Sequence, residues 1–265
     1  MPSQEQLTKV LPWISTPVLV VAIVGLWKLA TIYLDVSPFV LPPPEDVVAA
    51  LVELVRRPDV WTVHARTTLI ESVAGFGIAL VTGVVVGAVL GRLVWLERAV
   101  RPMVVTFQVI PKVALVPLFV IWFGFGMTSK VIIAAILAFF PIMLNVLLGV
   151  RSVDPGHRDV MRSLNAGRWA TFWSLEFHST LPYVFAGMEV GIVFAVIGAI
   201  VGEYLGGSQG LGYMVVVTLN ALNAPELFAV IILLAGLGYL LFFAVNVAKR
   251  LMIPWHESVA LADIA

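Results

Sequence analysis

The sequence predicts an all-α, polytopic membrane protein of about six transmembrane helices with one large cytoplasmic loop. Three observations carry that prediction. Of the 265 residues, 60% are hydrophobic and 12% charged, with mean hydropathy +1.02, against about 45 to 50% apolar and about 25% charged in a soluble domain. The apolar residues are gathered into stretches of about 20, the length a helix needs to cross a hydrocarbon core about 30 Å thick. Lysine and arginine collect in alternate connections, as they do on the cytoplasmic side of a membrane.

The stretches run over 17–36, 68–91, 102–123, 129–150, 183–204 and 226–248. Each is read as a helix, because lipid offers no partner for an unpaired backbone amide. The first follows a short polar segment carrying Lys9 and is read as a retained span: it is too long for a signal-peptide core, and no small-x-small cleavage site follows. With the N-terminus inside, the inner side holds Lys9, Arg92, Arg98, Arg101, Arg151, Arg158, Arg162, Arg168, Lys249 and Arg250, ten of the sixteen positive charges. The outer side holds Arg56, Arg57, Arg66 and, at the membrane border, Lys130. The expected organisation is a cytoplasmic segment 1–16, one membrane domain 17–250 and a cytoplasmic tail 251–265.

Between the first two spans, Pro42-Pro43-Pro44 precedes Glu45 and Asp46, residues suited to a helix's first turn. Val47, Leu51, Leu54 and Val55 then recur at helical spacing, predicting a short amphipathic helix on the outer membrane surface. Pro111, Pro117 and Pro141 interrupt spans and predict kinks. Gly83, Gly87 and Gly91, then Gly187 and Gly191, and Gly198 and Gly202, recur every four residues, a spacing that lets helix backbones approach closely. The inner connection from Arg151 to about Pro182 is basic and aromatic, and 159–169 reads as helix, turn, helix. On loop physics alone, a docking element and a basic loop on anionic headgroups are equally open.

Formal net charge is zero, so no bulk electrostatic case exists for nucleic acid. Cysteine is absent, which excludes disulfides and thiolate metal sites. Polar residues inside spans are the candidates for a solute path, since a central lysine costs about 2.5 to 3.5 kcal/mol. They are Gln108, Lys112, Asn145, Glu189 and Glu203. Lys112 either pairs with a carboxylate such as Glu189 or attracts an anionic solute. Asn145 and Gln108 either line the cavity or cross-link helices, and Glu203, near the outer end of span five, is either a solvated gate residue or a helix-end charge. Lys28 is expected to snorkel or pair at the periphery. The aromatic group Phe119, Trp122, Phe123, Phe125, Phe139 and Phe140 either faces lipid or stacks on a planar solute.

Several segments carry a family resemblance. In the inner connection, Asp159, Val160 and Met161, then Asn165, then Leu175, Phe177 and His178 stand where a Glu-Ala-Ala, three residues, Gly, nine residues, Ile-x-Leu-Pro loop has its signature. Around it stand 109–118 with 122–126, 140–145, 149–155, Leu181-Pro182 to Gly187, and Gly202-Glu203-Tyr204 to Tyr213. In that order, over about residues 41 to 250, the chain resembles ABC importer permeases, in particular the nitrate, sulfonate and taurine subfamily that also includes riboflavin and thiamine-precursor permeases. The resemblance implies a passive pathway of two permease chains, a homodimer, in a bacterial-type inner membrane. Two ATP-binding cassette subunits, which use ATP and Mg, would dock on the inner loop, and an extracytoplasmic solute-binding protein would deliver the cargo. It further implies that residues about 156–172 receive the ATPase stroke, with Asp159, Arg162, Asn165, Gly167, Arg168 and Trp169 as coupling residues. No Gly-x-x-x-x-Gly-Lys-Ser/Thr loop occurs in the chain, so it is expected to bind no nucleotide by that route and to hold no cofactor. The implied cargo is a small organic anion or oxyanion of the sulfonate, taurine or nitrate kind, or a riboflavin- or thiamine-precursor-like heteroaromatic.

Two rival classes are weaker. A secondary transporter would show internal repeats and broken helices in corresponding halves, which the sequence lacks. Gly206-Gly207-Ser208-Gln209-Gly210 fits the Gly-x-Ser-x-Gly pattern of a serine nucleophile. His157 and His178 lie on the opposite side from it, however, and His64 sits in no motif. The glycines instead predict a turn after span five or a re-entrant segment.

Overall fold

The computed structural model describes residues 4–34 and 36–256. Residues 1–3 of the expected N-terminal segment and 257–265 of the expected tail lie outside the described residues. Helix α1, Gln4–Tyr33, joins most of the expected polar segment to the first span in one piece, and its part Ser15–Tyr33 is long and apolar enough to cross a membrane. Helix α2, Pro44–Arg56, starts with proline in its first turn and Glu45 and Asp46 beside it, where a missing N–H and negative charge are both favourable. A π-helical turn, Val60–Ala65, leads into α3, Arg66–Arg92. After α3 come α4, Val94–Val109, and α5, Val116–Phe123, then α6, Met127–Arg151. The inner connection contributes α7, Pro155–Ser163, and α8, Arg168–Thr171. The chain ends with α9, His178–Gly206, the short α10, Leu211–Asn220, and α11, Ala224–Met252.

The core is the α3, α6 and α9 trio, whose shared contact is built of small residues: Ala79, Ala134, Ala138, Ala195 and Ala199 around Ile142 and Val146. The glycine spacing does what it predicts. A Cβ on Gly87 would lie 2.5 Å from the Met143 carbonyl oxygen, and one on Gly198 would lie 2.6 Å from the Ala134 Cα. Backbones this close gain dispersion contacts along their length, which is how helices associate in lipid, where apolar burial from water is unavailable.

These contacts also fix direction. Gly75 meets Ala134 and Gly91 meets Val150, so α3 and α6 run parallel. Gly149 meets Tyr183 and Gly198 meets Ala134, so α9 runs antiparallel to α6. Lys249 meets Glu189 while Ile253 packs with Leu181 and Phe185, so α11 runs antiparallel to α9. Two consecutive parallel helices require the chain between them to return across the membrane, and α4 with α5 is that return. Among the described residues five helices are long and apolar enough to cross a membrane, six with this bent pair counted as one span.

The interruption expected within 102–123 is present as a sharp break, bent by 82°. Pro111 stands at the break, in extended backbone, because it has no N–H for a helical bond. A 3-10 turn, Lys112–Leu115, follows, and Pro117 starts α5 rather than kinking it. Pro141 lies inside α6, which continues through it. The expected short helix is present, with Val47 and Leu54 of α2 buried and Leu54 packed against Leu211, Met214, Ala229 and Val230 of α10 and α11. Leu51 is half-buried against the same cluster, while Val55 stays exposed. Lys28 pairs with Glu45, tying α1 to α2 and holding the Glu45 carboxyl below its usual range.

Candidate functional site

Three places hold the residues singled out by the sequence, at the arginine-rich end, the middle and the opposite end of the bundle. At the arginine-rich end, the Asp154 side chain accepts from the Gly156 N–H at 2.6 Å and starts α7. The turn that ends α7 places Asn165 in the left-handed region, φ 54°, and its neighbour's N–H reaches back from Ala166 to the Met161 carbonyl at 3.0 Å. That closure usually takes glycine; asparagine is the side chain that tolerates it best. Gly167 then caps α8, which passes through a π-helical turn, Phe172–Phe177, into α9. The expected helix, turn, helix is present. His178, at the signature's proline position, continues the helix, its Nδ1 2.6 Å from the Trp173 carbonyl and its ring against Trp255.

Most of the expected coupling residues point outward. Asp159 and Arg162 pair with each other at 3.1 Å, 70% and 80% exposed, and Trp169 is 72% exposed beside exposed Leu164 and Arg168. An exposed tryptophan next to charged groups suits protein contact. Carboxylates the sequence did not single out, Glu176 and Glu97, pair with arginines at this end of the molecule. Glu176 accepts from Arg92 of α3 at 2.8 Å and lies 3.4 Å from Arg158 of α7. Glu97 bridges Arg101 at 2.7 Å and Arg151 at 3.3 Å. Glu176 thus ties α7 to α3, and Glu97 ties α4 to α6.

In the middle, α3, α4 and α6 enclose an apolar cleft of about 710 Å³. Phe107, Phe119, Phe139 and Phe140 line it, and Lys112 is its one charged residue. The Lys112 ammonium lies 5.2 Å from the Phe140 ring centre and donates to the Gln108 carbonyl at 3.4 Å. Expected pairing with Glu189 does not occur: Glu189 meets Lys249 at 3.0 Å between α9 and α11. Non-helical backbone at membrane depth persists where it is buried or lines a hydrated cavity, and the break at Ile110 and Pro111 opens next to this cleft. Asn145 stands apart, between α6 and α9 against Gly187, donating to the Pro141 carbonyl. Gln108 is exposed on α4. The path candidates are not brought to one point.

At the opposite end, Glu203 is fully buried, which corrects the solvated reading. Its carboxylate accepts from the Thr68 hydroxyl at 2.6 Å and from the Gly212 N–H at 2.7 Å. Thr68 in turn accepts from the Leu211 N–H at 2.8 Å. Lys130, expected at the membrane border, is buried and donates to the Gly206 carbonyl at 2.8 Å, Gly126 at 3.0 Å and Phe125. Glu71, also buried, lies beside Glu203 and within electrostatic reach of Lys130. His64 Nδ1 is 3.1 Å from the Gly210 carbonyl oxygen and 3.2 Å from its nitrogen. Among the described residues no hydrogen bond joins His64 to Ser208, so the Gly-x-Ser-x-Gly pattern serves the turn, where Gly210 takes φ 107°. Glu71 was missed although its position three residues into an apolar stretch was the signal: an intramembrane carboxylate implies a partner.

Residues 79–255 match the profile of a family described as the binding-protein-dependent transport system inner membrane component. The formylaminopyrimidine transport permease protein ThiX of Halalkalibacterium halodurans is 34% identical over 221 residues, 83% of this chain and 88% of that protein. The riboflavin transport system permease protein RibX of Chloroflexus aurantiacus is 30% identical over 247 residues, 93% of this chain and 92% of that one. The taurine transport system permease protein TauC of Escherichia coli is 28% identical over 238 residues, 88% and 86% of the two chains.

Proposed function

The chain belongs to the binding-protein-dependent transport system inner membrane components, and from that membership we propose that two copies form the pathway of an ATP-driven importer, worked from outside their membrane domain by two ATPase subunits. It is a permease subunit of an ABC importer. The observation that carries the mechanism is the exposed hairpin of α7 and α8, whose Arg158 meets Glu176, itself paired with Arg92 of α3 at the arginine-rich end. The positive-inside rule assigns that end to the cytoplasm, with both termini on the same side. ATP binding draws the ATPases together, the hairpins follow, and the ion pairs carry the motion into α3. The pathway then opens toward a loaded solute-binding protein, and hydrolysis resets it inward. Asp159, Arg162 and Trp169 supply the outward contacts, while Asn165 and Gly167 set the turn that presents them with Arg168.

The cargo is a small organic anion or oxyanion such as a sulfonate, taurine or nitrate, drawn along the pathway by Lys112. A second reading, a heteroaromatic of the thiamine-precursor or riboflavin kind, is favoured by the two relatives at 30% identity or more and by the phenylalanines around Lys112. Replacing residues 159–169 with a flexible linker should abolish co-purification of the ATPase; undiminished co-purification overturns the coupling assignment. In proteoliposomes, uptake should require ATP and the binding protein. Uptake by this chain alone on an ion gradient would defeat the reading, and the cargo bound by the solute-binding protein decides between the two classes.

A further inference from the structure

Behind the coupling hairpin lies an open cleft of about 1120 Å³ to which the transport cycle assigns no ligand. Five arginines line it, Arg92, Arg151, Arg158, Arg162 and Arg168, against one carboxylate, Glu176. Phe172 forms part of its wall, with the Arg92 guanidinium 5.1 Å above the ring. The Arg158 Nε is buried with no hydrogen-bond partner, while its Nη2 reaches Glu176 at 3.4 Å. A planar guanidinium whose donors are only partly used, among others of the same charge, is built for an oxyanion with several acceptors.

The depth of the cleft selects among such anions. Trp169, Phe172, Trp173, Phe177, His178 and Trp255 form a continuous string of ring contacts, with neighbouring centres 5.0 to 6.3 Å apart, along the start of α9. Trp173 and Trp255, which the coupling contact does not use, remain exposed. Indole rings of this kind mark the headgroup level of a bilayer. The arginines are therefore at the height of lipid phosphates, and the inner leaflet is the anionic one.

We propose that this cleft binds the phosphate of an anionic phospholipid headgroup, held by Arg92, Arg151 and Arg158 between the coupling hairpin and the inner ends of α3 and α6. The orientation rests on the cytoplasmic placement of the hairpin given above. Glu176 competes with the phosphate for Arg92 and Arg158, so a bound lipid loosens the tie between α7 and α3 and sets how stiffly the hairpin is coupled.

The test uses the full assembly purified in mild detergent, with phosphatidylglycerol counted per chain by native mass spectrometry against phosphatidylcholine. Each arginine near a membrane surface contributes about fivefold to anionic-lipid affinity, so Arg92→Gln with Arg158→Gln should lower retention by roughly 30-fold. Glu176→Gln should raise retention, a change of opposite sign that misfolding would not produce. Equal retention by wild type and the double variant overturns the proposal. Radiolabelled inorganic phosphate lost from the double variant while phosphatidylglycerol is kept overturns the lipid source, and loss of the ATPase with lipid retention unchanged overturns it in favour of a protein contact. ATP-dependent uptake by wild type is scored separately, so failure of the lipid site leaves the transport reading standing.

Discussion

Replacing Lys130 by methionine keeps the length of the side chain and removes its charge. In the structure the ammonium donates to Gly206, Gly126 and Phe125 and is the cation facing buried Glu71 and Glu203. Removing one member of a buried charged network costs about 3 to 5 kcal/mol, and each orphaned acceptor adds to that only where water cannot reach it. The start of α6 and the end of α9 should therefore loosen together, because Gly206 is the point at which Lys130 joins them. The expected loss for Lys130→Met is about 3 to 5 kcal/mol of unfolding free energy in detergent, measured by chemical denaturation with tryptophan fluorescence. Adding Glu71→Gln should recover part of it, with a coupling of about 1 to 3 kcal/mol in a double-mutant cycle. A loss below about 1 kcal/mol, or no recovery in the double variant, would refute the view that these three groups balance one another.

At Gly198, leucine would meet the Ala134 backbone and should destabilise by about 1 to 3 kcal/mol, whereas Gly25→Leu on α1, with nothing within 4 Å, should be neutral in the same thermal assay. Asn165→Gly should leave ATPase association intact, while Asn165→Val should cost about 1 to 2 kcal/mol of local strain in the left-handed turn and weaken that association. Ser208→Ala should leave uptake unchanged, since transport gives that hydroxyl no task; loss of uptake would count against the turn reading. The tie between Lys28 and Glu45 is present at neutral pH and is lost as pH falls through the depressed Glu45 value. Because both groups are exposed, Glu45→Gln should not measurably shift the unfolding midpoint at neutral pH.

The hairpin from Asp154 to Thr171 was legible because capping and turn chemistry are local. Asp-Pro starts a helix, and an asparagine followed two residues later by glycine stops one and begins another. Its attachment was not legible: Arg92, Arg158 and Glu176 are far apart in sequence, and any of them alone reads as a solvated loop charge. The same holds for Lys112, Glu189 and Lys249. A lysine inside a span announces that it needs a partner, but which carboxylate reaches it depends on helix rotation, and Lys249 lies closer to Glu189 along the antiparallel α9 and α11.

Composition and apolar length alone determined that the chain lives in lipid and crosses it through helices, since no other arrangement satisfies a backbone there. Glycine spacing determined which faces touch. Only the tertiary structure decided how sharply the returning span between α3 and α6 breaks at Pro111, and that Glu71, Lys130 and Glu203 meet. Hydropathy averages over a window and is blind to rotation, whereas a buried charge is placed by the one orientation of three helices that brings its counter-charge within reach.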